Sequence, residues 1–119
     1  MADLNQIADY VADNIIIEQG TKDGWFYRKW ANGTLECWSS LSKTVAANTV
    51  DINNYKTYPF TFTGNLYVTI GTIAGGADLY RAHIEGSGSN YSQVRIVLIN
   101  KHTAATSMGV NIYAIGTIN

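Results

Sequence analysis

Leu4, Ile7, Ala8 and Val11 recur at three- and four-residue spacing, a pattern that predicts one helix over Asp3–Asn14. A helix this short is marginal alone in water, so its stripe of Leu4, Ile7 and Val11 must lie on something. The domain's own sheet and the same helix of sister chains both qualify. From Ile15 the period changes. Ile15-Ile16-Ile17 is β-branched and reads as a first strand, ended by "EQGTKDG". Residues 65–73, 78–85, 94–100 and 110–118 alternate or run apolar, with "GTIAGGAD" and "EGSGSNYS" as turns; "KTVAANTVDI" is a weaker strand. Pro59, in "YPFTFTG", belongs at a strand start or sheet edge, where its missing N–H does no harm. About seven to nine short strands after one helix describe an all-β fold, a jelly-roll-like antiparallel β-sandwich. The expected division is a helix at 1–14, for oligomerisation or attachment, and a β-sandwich domain at 15–119.

All three tryptophans fall within Trp25–Trp38, "WFYRKWANGTLECW". Asn32-Gly33 predicts a two-residue type I′ hairpin turn, whose central residues both need positive φ. Opposite partners then set Trp30 against Leu35, Lys29 against Glu36, Arg28 against Cys37 and Tyr27 against Trp38. Such cross-strand pairs contribute roughly 0.2–1 kcal/mol each. In this register Phe26, Trp30, Leu35 and Cys37 share one face, and Trp25, Tyr27 and Trp38 the other. A ribbon apolar on both sides must be covered on both. Trp25, Tyr27, Trp30 and Trp38 are therefore expected in the core and in contacts between protomers; a sugar-stacking platform is the alternative.

Charge and candidate chemistry narrow the function. The formal net charge is -1 over 119 residues, which gives no general attraction to nucleic acid or anionic lipid. No nucleic-acid or membrane partner is expected. The start carries Asp3, Asp9 and Asp13 with no basic residue and no apolar secretory core, so release by lysis or within an assembly is expected rather than secretion. Cys37 is the single cysteine and reads as a small buried hydrophobe. Two histidines without close cysteines give no zinc spacing, and Asp51-Ile52-Asn53-Asn54 lacks the glycine and distal Glu of a calcium loop. No metal or cofactor is expected. Nucleophile-elbow and zincin motifs are absent, and Asp78 and Glu85 fall on opposite strand faces, so no enzyme activity is expected.

Candidate ligand residues are few. Arg81 and His83 share a strand face with Leu79 and Glu85, which is either a solvated surface or a glycan contact. Tyr55 and Tyr58 near one loop and Tyr91 near another offer rings to a neutral saccharide.

The stretch from Ile16 to Trp38 also resembles a segment of small bacteriophage structural proteins and of C-terminal domains of tail-fibre-like proteins. Their pattern is I-x-E-x-G-x-x-x-x-W-x-Y-R-K-W-x-x-G-x-x-E-C-W. It matches at Ile16, Glu18, Gly20, Trp25, Tyr27, Arg28, Lys29, Trp30, Gly33, Glu36, Cys37 and Trp38. "YPFTFTG" is similar to the family's continuation. The resemblance implies a virion surface domain, a homotrimer of β-sandwich type that contacts other virion proteins and often host cell-wall saccharide. It also implies assembly in the host bacterial cytoplasm. A capsid decoration or head-fibre protein, and a carbohydrate-binding module or depolymerase using Asp51, Asp78 or Glu85, are the alternatives.

If the helical stripe aligns three chains, a Leu4→Asp, Val11→Asp double change lowers both the light-scattering mass and the melting temperature. An unchanged mass would remove that role from the helix.

Overall fold

The computed structural model describes Gln6, residues 14–72 and residues 79–118. The predicted helix, with Leu4, Ile7 and Val11, lies outside the described residues except for Gln6 and Asn14. Eight strands follow among the described residues: β1 (Ile16–Lys22), β2 (Trp25–Trp30), β3 (Thr34–Val45), β4 (Thr49–Thr57), β5 (Gly64–Thr72), β6 (Tyr80–Ile84), β7 (Gln93–Asn100) and β8 (Thr106–Thr117). They form a five-stranded sheet ordered β1-β2-β3-β8-β5 and a three-stranded sheet ordered β4-β7-β6. Every pairing in both sheets is antiparallel. The described residues from 14 onward are thus all-β, as their alternation predicts.

The sheets share one core. Leu35 and Cys37 of β3 and Val110, Ile112 and Ala114 of β8 face Val94, Ile96 and Leu98 of β7, all at most 1 % exposed. Full burial of each larger aliphatic side chain contributes about 1.5–3 kcal/mol. Trp25 is also fully buried, and its indole N–H donates to Thr57 O at 2.7 Å, so the largest ring in the core leaves no orphan donor. That bond joins the five-stranded sheet to the end of β4. Asn100, 1 % exposed, closes the other end. Its amide nitrogen lies within 3.0–3.2 Å of Val45 O, Ala46 O and Ala104 O, and its Oδ1 accepts from His102 N at 2.9 Å.

The hairpins correct the expected turns. Between β1 and β2 the chain turns at Asp23 (φ 54°) and Gly24 (φ 83°), with Lys22 opposite Trp25. This is the two-residue loop with both central residues left-handed. The first strand therefore continues through "EQGTK" and does not end after Ile17. At the next hairpin only Gly33 has positive φ, 88°, and its N–H bonds Trp30 O at 3.0 Å. The Asn32 side chain accepts from Thr34 N at 3.0 Å. This is a three-residue loop, a turn closed by a left-handed glycine, and not a type I′ turn. The extra loop residue slips the register by one: Phe26 pairs with Trp38, Tyr27 with Cys37, Arg28 with Glu36 and Lys29 with Leu35. Since side chains alternate, Trp25, Tyr27, Leu35 and Cys37 share the core face, and Phe26, Arg28, Trp30, Glu36 and Trp38 share the outer face.

Two further elements differ from expectation. "KTVAANTVDI" is no single strand; it holds the end of β3, a turn with Asn48 at φ 52°, and the start of β4. "YPFTFTG" is the connection from β4 to β5, with Tyr58, Pro59 and Phe62 buried. The Phe62 ring lies against Gly116 of β8, where an added Cβ would stand 2.7 Å from Phe62 Cδ1 and 3.0 Å from Gly64 O. Gly116→Ala should therefore cost roughly 1–3 kcal/mol of unfolding free energy, read as a lower urea midpoint.

Candidate functional site

Two surfaces stand out once the core is accounted for. The first is the outer face of the five-stranded sheet. Phe26 and Trp38 are cross-strand partners with ring centroids 5.5 Å apart, and Trp38 and Tyr113, partners across β3 and β8, are 5.3 Å apart. The Arg28 guanidinium carbon lies 5.6 Å from the Phe26 ring centroid and 5.3 Å from that of Trp38. Cation–π contacts of this kind contribute about 0.5–2 kcal/mol. Glu36 sits beside this row, opposite Arg28 on one side and Ile115 on the other. Its two carboxylate oxygens accept from Trp30 Nε1 at 2.8 Å and from the Tyr113 hydroxyl at 2.7 Å. Burial first, then the bond to the Glu36 charge, push the Tyr113 hydroxyl up to about 12.

That face is unevenly covered. Phe26 is 38 % exposed and Tyr67, opposite Ile115, is 71 % exposed. Yet Arg28 Nε is buried by its neighbours without a hydrogen-bond partner, alone in this among the described side chains. A buried donor left unpaired costs about 1–3 kcal/mol, more for a charged group.

The second surface is a cleft of about 310 Å³ lined by Tyr58, Leu66, Val68, Ile84, Tyr91 and Val94, with Ser89 and Asn90 at its loop side. Tyr58 N–H donates to Ser92 O at 3.0 Å and Phe62 N–H to Tyr91 O at 2.9 Å, which clamp the β4–β5 connection to the loop after β6. Tyr58 is buried, 3 % exposed, whereas Tyr91 is 49 % exposed. Burial, helped by the nearby Cys37, pushes the Tyr58 hydroxyl strongly upward.

The structure divides the expected ligand residues. Tyr58 and Tyr91 meet in the cleft. Tyr55 lies within β4, not in a loop, with Arg95 5.7 Å from its ring centroid. Its register partner is Arg95, and those of Arg81 and His83 are Ile99 and Val97, so all three expected residues project from the outer face of the three-stranded sheet. His83 Nε2 lies 3.6 Å from Glu85. Asp51 is committed to Lys43 at 2.7 Å, and that contact holds its carboxyl below the usual range. Asp78 lies outside the described residues. Tyr27 packs edge-on against Phe60 at 5.0 Å, and its hydroxyl donates to Glu18 at 3.0 Å. Arg28, Glu36, Tyr67, Tyr113 and Ile115 were not singled out as interface residues from sequence. The signal is present in "IYAI", residues 112–115, where both alternating sets are apolar or aromatic.

Among the described residues, no group of His, Cys, Asp and Glu side chains is placed to hold a metal ion, and no helix is long and apolar enough to cross a membrane.

No family model and no curated protein matches the chain. Solved structures do. The fibre of P. aeruginosa R1 pyocin, residues 323–701, superposes at TM-score 0.62 and 13 % identity over 98 % of this chain and 32 % of that one. An N-truncated R1-type pyocin tail fibre gives 0.64 and 15 % over 98 % of both chains. An N-truncated R2-type pyocin tail fibre gives 0.54 and 11 % over 95 % of this chain and 43 % of that one. The chain thus spans about a third of the longer R1 fragment and nearly all of the truncated one, and shares their fold.

Cys37 is fully buried, and burial pushes its thiol up to about 12 from an ordinary 9.0. The unfolded chain loses the Cys37 and Tyr113 protons first as pH rises, so stability present at neutral pH falls between about pH 9 and 12. Urea midpoints should decline over that window. Cys37 should react with a thiol reagent only after unfolding, and rapid labelling of the folded chain would contradict its burial.

Proposed function

We propose that this chain is a phage tail-fibre-like domain carried on the virion. In this reading it is a jelly-roll-like sandwich that assembles as a homotrimer with other virion proteins and contacts host-surface saccharide. The observation that carries the reading is a fold likeness running over 98 % of this chain and 98 % of an N-truncated R1-type pyocin tail fibre. The pattern from Ile16 to Trp38 adds to it, because it resembles phage structural proteins.

The homotrimer is supported by the outer face of the five-stranded sheet. Phe26, Trp38, Tyr113, Ile115 and Tyr67 form an aromatic and apolar strip across β2, β3, β8 and β5. Aromatic residues and Arg are the types enriched at interface centres. Arg28 Nε, already out of water and unpaired, gains an acceptor if a sister chain covers the strip. Threefold repetition would also raise avidity for a repetitive saccharide without any single tight site.

The full chain should show a light-scattering mass three times 13.0 kDa at micromolar concentration. Trp38→Asp, on the outer face, should reduce it to a single subunit while leaving the far-ultraviolet dichroism of the fold intact. A single subunit for the unsubstituted chain would overturn the homotrimer. A trimeric Trp38→Asp chain would move the interface elsewhere.

A further inference from the structure

The cleft holding Tyr58 and Tyr91 lies between β5 and β6, each an edge strand of its sheet, and so on neither outer face. Its form is held independently of any ligand. Asn90 Oδ1 accepts from Ser92 N at 2.8 Å and Gln93 N at 3.1 Å, while Ser89 Oγ donates to Glu85 O at 2.6 Å and accepts from Arg95 N at 2.9 Å. Arg95 Nη1 adds a bond to Ser87 O at 3.0 Å. With the Tyr58–Ser92 and Phe62–Tyr91 backbone bonds, these fix the loop that forms one wall. Preorganisation of this kind removes much of the ordering cost of binding.

The chemistry of the wall selects the occupant. Leu66, Val68, Ile84 and Val94 are aliphatic, Tyr58 and Tyr91 supply rings, and among the described residues no charged side chain lines the cleft. An anion seated there would lose hydration with no cation to replace it. Donors remain on the loop side: Asn90 spends its oxygen on the backbone, which leaves its amide N–H groups, and Tyr91 is half exposed with its hydroxyl. A volume of about 310 Å³ lies at the small end of ligand sites, which run roughly from 300 to 1,000 Å³. It suits one ring with an apolar face and a hydroxylated edge.

We propose that this cleft binds a single neutral pyranose unit and rejects acidic sugars. The apolar ring face lies on Leu66, Val68 and Ile84, and the hydroxyls turn to Asn90 and Tyr91. This rests on the host-saccharide reading and narrows it to one place and one charge class.

The test is an amide-resolved NMR titration of the full chain with methyl β-glucopyranoside and methyl N-acetyl-β-glucosaminide, with glucuronic acid as the anionic arm. At millimolar concentration at least one neutral glycoside should shift the amides of Leu66, Val68, Ile84, Ser89, Asn90 and Tyr91, and glucuronic acid should not. Tyr91→Ala removes an exposed ring but keeps the backbone oxygen that accepts from Phe62, and should weaken binding about fivefold to tenfold. Equal shifts with glucuronic acid, shifts confined to other residues, or no shift with either glycoside would overturn the proposal. So would a cleft filled by a sister chain. Cell adhesion separates this from the broader reading. Adhesion undiminished by Tyr91→Ala leaves host contact standing without the cleft. Glycoside shifts in the cleft without any adhesion leave the cleft standing without host contact.

Discussion

The ladder between β3 and β8 decides which side of the larger sheet each residue occupies. It runs unbroken from Thr34 opposite Thr117 to Val45 opposite Thr106. Because side chains alternate with a period of two, Leu35, Cys37, Ala114 and Gly116 turn inward together, and Glu36, Trp38, Tyr113 and Ile115 turn outward together. A shift of one residue would press the Glu36 carboxylate into an aliphatic core and expose Cys37. The desolvation cost of that carboxylate, left unpaired, makes the observed register strongly preferred. Gly116 fits the same constraint, since only a residue without a side chain lets the Phe62 ring close over the inner face there.

With parity settled, the outer face acquires its character as a consequence. Glu36 has nowhere to go but outward, and there it anchors Trp30 and Tyr113 by one hydrogen bond to each oxygen. These bonds hold two of the aromatic side chains in fixed positions, beside Trp38, itself in tilted ring contact with Phe26 and Tyr113. A strip of loose aromatic groups would be merely adhesive; one pinned around a carboxylate and a guanidinium has a defined shape to match. The cleft between β5 and β6 is different in kind. Among the described residues its lining is uncharged; it lies between sheet edges and owes its walls to backbone bonds between segments far apart in the chain.

Much of the fold was legible before the structure. Alternation at 65–73, 94–100 and 110–118 marked β5, β7 and β8, because each strand has at least one face that must be dry. The hairpin register was not legible. Asn-Gly and Asp-Gly both permit a two-residue left-handed turn, and the dipeptide does not say whether its first residue adopts positive φ. Asp23 does and Asn32 does not. That difference in one dihedral moved Trp38 from opposite Tyr27 to opposite Phe26. The cleft escaped notice for another reason. Tyr58 and Tyr91 are brought together by main-chain hydrogen bonds, which leave no trace in side-chain identity. Tyr58 and Tyr55 looked alike as loop tyrosines, yet one is a wall of the core and the other a surface strand residue.

The three indoles occupy three unlike settings. Trp25 is fully enclosed and bonded across the two sheets, Trp30 is half-buried on Glu36, and Trp38 lies partly open among other rings. The chain consequently carries its own optical gauges. Emission from Trp25 follows whether the two layers are closed, while that from Trp38 follows whether anything has been laid over the sheet from outside. Single-tryptophan versions would let the two events be timed separately, with no dye attached.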